Sequence, residues 1–375
     1  LLQFWKVLEQ CVSFDKVIII QAANTGLTGG STPDGDDYDR DVIIINTLHL
    51  DQLTLLNDGL QVLAFPGTTL YQLEEQLRPL DRGPHSVIGS SCIGASVIGG
   101  VCNNSGGNLV NRGPAYTELS LFARINSKGK LELINHLDIN LGDSPEEILG
   151  NLETLNFDKK DLRKSKRMAS DHEYKLRVRD INSSKPARFN SDRNRLYEAS
   201  GCAGKIAVFA VRMDTFPVPK KEQVFFVGTN NPTRFTYLRE KILSEFQHLP
   251  DMGEYMHRSY FDGSDKYCKD TFLFIKYLGT NFLPKLLSIK RRIDQLVEKL
   301  NFFPSNISDR ILQFISQIFP DHLPNSLRDY RNRFEHYMLF LASDSTIDEM
   351  QELLDYETSK EQDYEYIKCT KSEGQ

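Results

Sequence analysis

Short apolar runs separated by glycine-rich turns occupy the first 140 residues. Residues 16–20, 41–45 and 61–65 have the length and the β-branched content of buried strands. A loop with frequent glycines, residues 24–37, joins the first two runs. The alternation of such strands with helical patterns predicts an α+β fold.

Two helices are predicted by their first residues. Thr69 and Gln72 have the spacing of a capping box, and the leucines that follow lie on one helical face. Ser144 begins a second helix, with Pro145 at its first position and Glu147 at its third. Between them, residues 89–107 contain too many glycines for an ordinary packed helix.

The second half of the chain repeats a strand–helix pattern. After a strand within residues 204–213, a strand at 224–227 precedes a helix at 232–246, and a strand at 337–342 precedes a helix at 345–354. Such a repeat predicts a ferredoxin-like layer. We therefore expect two domains, residues 1–217 and 218–375, the second with a helical insertion at about 270–335.

Composition excludes several classes of protein. The 375 residues are 40% hydrophobic and 26% charged, as in ordinary globular chains, and the net charge of −6 gives no overall attraction to nucleic acid. No apolar run approaches the roughly 18 residues of a membrane span. The six cysteines are scattered and the histidines lack ligand spacing, so we expect reduced thiols and no metal site. Because Leu1 falls within an amphipathic pattern, we expect the chain to be a fragment.

The insertion differs in charge from the sequence around it. Residues 271–340 contain ten Lys or Arg against six Asp or Glu, whereas residues 341–375 contain three against ten. Cations accompany an apolar helical stripe at Lys285, Lys290, Arg291, Arg292 and Lys299. This pattern is typical of a helix at an anionic membrane surface, although an ordinary packed helix gives a similar one.

Three glycine-rich motifs carry the candidate chemistry. They are QAANTGLTGGS (21–31), FPGT (65–68) and the stretch 88–107. Glycine lets backbone N–H groups approach a ligand closely, so converging loops of this kind suit a long phosphorylated cofactor. The chain has neither the GxGxxG fingerprint nor a Walker loop.

The ordered set of motifs resembles the FAD-binding domain of the vanillyl-alcohol-oxidase and p-cresol-methylhydroxylase superfamily. Within it, the chain closely resembles the membrane-associated, quinone-dependent D-lactate dehydrogenases of bacteria. The likeness covers nearly the whole chain, through AANTGLT (22–28), YDRD (38–41), PHSVIGSSCIGAS (84–96), RGPAY (112–116), SGCAGK (200–205) and GEYMHR (253–258).

The resemblance implies an FAD-binding domain followed by a cap domain, and it implies a set of cofactor contacts. These are Ala22, Ala23, Asn24, Thr25, Gly26, Gly30, Ser31, Gly89, Ser96, Gly106 and, through its backbone, Val208. Most superfamily members have a glycine triplet where this chain has Ala22-Ala23-Asn24, a departure that fits the lactate-dehydrogenase branch. Since residues 22–31 contain no His or Cys, non-covalent FAD is expected.

The resemblance also implies an activity: oxidation of D-lactate to pyruvate, with electrons passed to quinone, at the cytoplasmic side of a bacterial inner membrane. The alternatives are a soluble FAD-dependent dehydrogenase of another 2-hydroxy acid, such as glycolate or 2-hydroxyglutarate, and an inactive flavin-binding fragment. His257 and Arg258 are visible candidates for catalysis, but the family's catalytic segment is expected after Gln375. No catalytic residue is therefore assigned.

Overall fold

The computed structural model describes most of the chain. The described residues are 1–85, 94–106, 108–189, 192–278, 323–360 and 363–374, together with 289, 292, 293, 296, 297, 310–312 and 314. They form two compact units. Unit 1 comprises Leu1–Val178 and Ser183–Val218, and unit 2 comprises Arg179–Asn182 and Pro219–Gln375.

Unit 1 contains a two-stranded parallel sheet with a long loop between its strands. β1 (Val17–Gln21) pairs with β2 (Val42–Asn46), from Val17 opposite Val42 to Gln21 opposite Asn46. The glycine-rich segment predicted as a loop connects the two strands without a helix. The first motif therefore begins where β1 ends.

A five-stranded antiparallel sheet forms the main layer of unit 1. Its order is β3-β4-β8-β6-β7, with β8 in the centre. The strands are β3 (Leu53–Leu56), β4 (Gln61–Ala64), β6 (Ser120–Ile125), β7 (Leu131–Asn135) and β8 (Ala207–Asp214). A two-stranded ribbon pairs β5 (Arg82–Gly83) with β9 (Phe216–Pro217).

Helices cover both faces of this sheet. One apolar cluster packs α1 (Leu2–Ser13) and α4 (Pro145–Glu153) around Phe209. The other packs α2 (Leu70–Leu77) and α3 (Val97–Cys102) around Val208. Because neighbouring residues of β8 point to opposite faces, this strand supplies both clusters. A further helix of unit 1, α5, begins at Tyr174 and spans Tyr174–Arg179.

Unit 2 has the ferredoxin-like topology that the sequence predicts. Its antiparallel sheet has the order β11-β12-β10-β13. The strands are β10 (Glu222–Thr229), β11 (Met252–His257), β12 (His336–Ser343) and β13 (Tyr364–Lys368). A helix follows the first strand and another follows the third, namely α6 (Thr233–Glu245) and α10 (Thr346–Lys360). The succession β10-α6-β11-β12-α10-β13 is the split β-α-β arrangement.

The insertion lies between β11 and β12, and its described parts are helical. They include α7 (Arg258–Tyr267), α8 (Lys269–Leu278) and α9 (Asn325–Arg333); α11 (Lys371–Gly374) ends the chain. Four of the five cations predicted to meet a membrane, Lys285, Lys290, Arg291 and Lys299, lie outside the described residues, whereas Arg292 is helical and exposed. Among the described helices, none has the length and apolar content needed to cross a bilayer.

Several elements have no separate prediction from the sequence, among them β3, β6 and β7 of the main sheet of unit 1. One element contradicts its prediction, because α3 forms within the stretch judged too rich in glycine for a packed helix. The helix forms because the Ser96 side chain caps it and because Val97, Ile98 and Val101 are buried beneath it. Here tertiary packing outweighs the low helix propensity of Gly99 and Gly100.

Candidate cofactor-binding site

Hydrogen bonds between its own residues hold the loop after β1, and space is left free beside its glycines. Asn24 has a left-handed backbone (φ 53°), and its Oδ1 accepts hydrogen bonds from Ser31 Oγ at 2.8 Å and Thr32 Oγ1 at 3.0 Å. Gln21 Nε2 donates to the Ser31 carbonyl at 2.7 Å. A Cβ added at Gly26 or Gly30 would meet nothing within 4 Å, so packing against the described chain does not explain these glycines.

Backbone contacts join this loop to the second motif. The Thr47 N–H donates to the carbonyl of Gln21, the last residue of β1, at 2.9 Å. The Thr47 carbonyl in turn lies 2.4 Å from the position of a Cβ on Gly67, and the Leu48 carbonyl lies 2.6 Å from it. Gly67 is therefore required by the approach of another backbone segment, and not only by a ligand.

Two backbone hydrogen bonds join the third motif to the second. The Val97 N–H donates to the Thr68 carbonyl and the Leu70 N–H donates to the Ala95 carbonyl, both at 2.9 Å. This places Ser96, which is 5% exposed, beside Thr69, and Ser96 Oγ accepts the Gly99 N–H at 3.1 Å. The three motifs predicted to converge therefore meet along one continuous path of backbone contacts.

Two further predicted contacts, Val208 and Gly106, are among the described residues. The Val208 side chain is buried in the same cluster as Val97 and Val101, so a contact between Val208 and a cofactor would have to be made by its backbone. It pairs with Phe122 next to a β-bulge, which leaves backbone groups of β8 outside the regular ladder. Gly106 follows α3, and Gly89 lies outside the described residues.

A cation that the sequence analysis does not single out lies against Gly106. Arg188 Nη1 is 3.0 Å from the position of a Cβ on Gly106, and Arg188 Nη2 is buried without a hydrogen-bond partner among the described residues. A buried, unpaired guanidinium is costly in a folded chain. The combination of an open glycine loop, small polar side chains and this cation fits a negatively charged cofactor. Arg188 belongs to no motif, so spacing along the chain gives no signal for it.

The candidates for catalysis in unit 2 form a different kind of cluster. His257 and His336 face each other across β11 and β12, and their ligand atoms and those of Glu335 lie within 4.8 Å of one another. His257 Nδ1 accepts the Ser259 N–H at 3.2 Å, so its Nε2 carries the proton in the neutral ring. Arg258 donates to Glu335 at 2.9 Å. These polar atoms are thus engaged with the protein itself.

Comparison with solved structures shows which proteins share the fold of this chain. The chain superimposes on p-cresol methylhydroxylase with a TM-score of 0.53 at 10% identity, covering 98% of this chain and 56% of that one. It superimposes on an alkyldihydroxyacetonephosphate synthase with a TM-score of 0.52 at 9% identity, covering 97% and 50%. The chain therefore shares the fold of these two proteins, which confirms the predicted α+β fold class.

Comparison of sequences finds relatives that match this chain along its whole length. The chain is 55% identical to the quinone-dependent D-lactate dehydrogenase of Escherichia coli (strain K12), 52% to that of Haemophilus influenzae and 41% to that of Corynebacterium glutamicum. In each case all of this chain is matched, and it spans 65–66% of the relative's length. Residues 224–375 match the family model described as D-lactate dehydrogenase, membrane binding. The chain is a homologue of the quinone-dependent D-lactate dehydrogenases, as the sequence motifs predict.

Proposed function

We propose that the protein of which this chain forms part oxidises D-lactate to pyruvate and passes the electrons to quinone. The observation that carries the proposal is 55% identity, along the whole chain, to a quinone-dependent D-lactate dehydrogenase. The open, linked glycine loops of unit 1 support it, because they offer backbone and hydroxyl donors to a phosphorylated cofactor.

We infer that unit 1 holds FAD without a covalent bond. The residues proposed to hold it include Ala22, Ala23, Asn24, Thr25, Gly26, Gly30, Ser31, Gly89, Ser96, Gly106 and the backbone of Val208. FAD would supply the redox chemistry, accepting a hydride from C2 of the 2-hydroxy acid. The chain's own part is to hold the cofactor in fixed loops. The Asn24 and Ser31 bond and the ladder at Thr68 and Val97 keep those loops in place before any ligand arrives.

Unit 2 is proposed to serve as the cap domain and to contact the membrane. Its match to the membrane-binding family model supports attachment to a membrane. We propose that this is the cytoplasmic side of a bacterial inner membrane and that the contacts are made by Lys285, Lys290, Arg291, Arg292 and Lys299, which accompany the apolar stripe in the sequence of the insertion. Peripheral attachment would bring the protein to quinone, which is confined to the bilayer.

The decisive experiment is an anaerobic absorbance titration of the purified protein. We expect bound flavin whose visible absorbance bleaches with D-lactate and stays unchanged with L-lactate, because one enantiomer directs its C2 hydrogen toward the flavin. Bleaching by glycolate or D-2-hydroxyglutarate in place of D-lactate would replace the proposal with the alternative 2-hydroxy acid. If the flavin is reduced by none of these 2-hydroxy acids, the protein binds flavin without this activity. Absence of flavin would contradict the proposed function of the glycine loops.

A further inference from the structure

Arg188 is a partly buried cation that has no hydrogen-bond or ion-pair partner among the described residues. Its Nη2 is buried and unbonded, and neither a hydrogen bond nor an ion pair joins the side chain to any described residue. Burial lowers the pKa of Arg188, while the nearby Tyr174 and Asp171 act in the opposite direction. The guanidinium nevertheless stays protonated, as arginine does throughout proteins.

The acids near Arg188 are already engaged. Asp171, whose side chain is fully buried, pairs with Arg177 and lies 3.4 Å from Arg195, and Glu173 binds Arg195 at 2.6 Å. The three arginines and two carboxylates of this group carry a net formal charge of +1. Some segments near Gly106 and Arg188 in the sequence lie outside the described residues. These segments contain no Asp or Glu: they are residues 86–93, 107 and 190–191. A ligand is therefore the natural source of the missing negative charge.

The position of the guanidinium points to the same ligand as the glycine loops. Arg188 Nη1 lies 3.0 Å from where a Cβ on Gly106 would be, so the absence of a side chain at Gly106 leaves room for it. Ser105, the residue before Gly106, is held by two backbone hydrogen bonds: its N–H donates to the Gly100 carbonyl at 2.8 Å, and its carbonyl accepts the Ala115 N–H at 2.9 Å. The cation is thus held against one of the proposed cofactor contacts.

We propose that Arg188 binds the diphosphate of FAD. This inference rests on the proposed function and adds a residue that the glycine motifs do not contain. A guanidinium donates two parallel hydrogen bonds to phosphate oxygens, and a diphosphate carries the charge that this group of side chains lacks. Binding would satisfy Nη2, the buried donor that has no partner in the described part of the chain.

The test compares FAD with riboflavin, a flavin that lacks the diphosphate and the adenosine attached to it. Apoprotein of the full chain is titrated with FAD and with riboflavin, following flavin fluorescence, for wild type, Arg188→Gln and Arg188→Lys. The matched control is Arg163→Gln, which alters an exposed arginine of the same unit. We expect Arg188→Gln to raise the dissociation constant for FAD by roughly 10- to 100-fold, the value of a charged hydrogen bond. Riboflavin affinity should not change, Arg188→Lys should retain part of the FAD affinity, and the control should match wild type.

Thermal unfolding of the apoproteins separates binding from folding. Removing an unpaired buried charge should leave the melting temperature of the Arg188→Gln apoprotein equal to or above that of wild type. A lower melting temperature with unchanged FAD affinity would assign Arg188 a structural role and overturn the proposal. Equal losses for FAD and riboflavin, or unchanged FAD affinity with a raised half-saturating D-lactate concentration, would also overturn it.

Failure of the proposed function has a different signature, since wild-type protein would then bind neither flavin. The anion site is still testable in that case with inorganic pyrophosphate. A rise in the melting temperature of wild type that Arg188→Gln abolishes would support a diphosphate site at Arg188. No effect of pyrophosphate on wild type would overturn it.

Discussion

His85 is a neutral side chain held in the interior of unit 1. It is 3% exposed, and burial, reinforced by the charge of Arg112, lowers its pKa to about 4. An unfolded histidine titrates near 6.5. The folded pKa is thus the lower one, so the unfolded chain binds a proton first as the pH falls. His85 therefore favours the folded state above pH 6.5, and this contribution is lost between about pH 6.5 and 4.

We expect wild type to lose about 3 kcal/mol of unfolding free energy over this range relative to His85→Gln, since one pKa unit is worth about 1.4 kcal/mol. Urea unfolding of both proteins at several pH values measures the difference directly. His49→Gln, at an exposed position, should keep the wild-type pH dependence. Parallel curves for wild type and His85→Gln would show that His85 does not titrate with folding.

The sequence does not show which glycines are required by packing and which leave room for a ligand. Gly67 and Gly99 are explained by the protein, since an added Cβ would lie 2.4 Å from the Thr47 carbonyl or 2.6 Å from Ser96 Oγ. Gly26 and Gly30 face open space. In the sequence all four belong to the same kind of motif, so which of them leaves room for a ligand depends on neighbours that only the fold supplies. Arg188 is not predicted from the sequence for the same reason, because its position beside Gly106 depends on the fold.

At the scale of elements, two serines cap helices in equivalent ways. Ser96 Oγ accepts the Gly99 N–H at the start of α3, and Ser144 Oγ accepts the Glu147 N–H at the start of α4, the latter within a capping box. Replacing either serine by alanine should lower the unfolding free energy by about 1 kcal/mol. Only Ser96→Ala should also weaken FAD binding, because Ser144 is not among the proposed cofactor contacts.

Denaturant unfolding of the apoproteins and FAD titration of both variants test this prediction. Ser127→Ala, at an exposed turn residue, controls for loss of a hydroxyl without loss of a cap. If Ser96→Ala and Ser144→Ala lose stability equally and both bind FAD as wild type does, Ser96 is a cap and no more. A loss of FAD affinity in both would attribute the effect to general destabilisation.

Elements with local signals are predictable from the sequence. The capping boxes at Thr69 and Ser144 locate α2 and α4, because the residues that fix the helix start lie within three positions of each other. α3 is not predictable in this way, because its glycines have low helix propensity. It forms because Val97, Ile98 and Val101 are buried in the core of unit 1. The grouping of His257 with His336 likewise depends on pairing between β11 and β12.

At the scale of the whole molecule, one segment has a charge opposite in sign to the net charge of the chain. The chain carries a net charge of −6, which repels it from anionic surfaces, yet residues 271–340 have an excess of four cations. An anionic membrane surface attracts adjacent Lys and Arg by about 1 kcal/mol each, and the attraction decays within a Debye length. A local basic segment therefore orients an acidic protein on such a surface, whereas net charge alone predicts no binding.

Co-sedimentation with lipid vesicles tests this arrangement. We expect binding to vesicles containing phosphatidylglycerol, weaker binding to pure phosphatidylcholine, and loss of the difference near 1 M salt, where the Debye length falls to about 3 Å. Changing Lys285, Lys290, Arg291, Arg292 and Lys299 to glutamine should abolish the preference for anionic lipid. The matched control changes five cations of unit 1, Lys159, Lys160, Arg163, Lys164 and Lys166, to glutamine and should leave it intact. Since both variants reach the same net charge, equal losses would show that overall charge governs binding, and binding that is indifferent to lipid charge would contradict an electrostatic attachment.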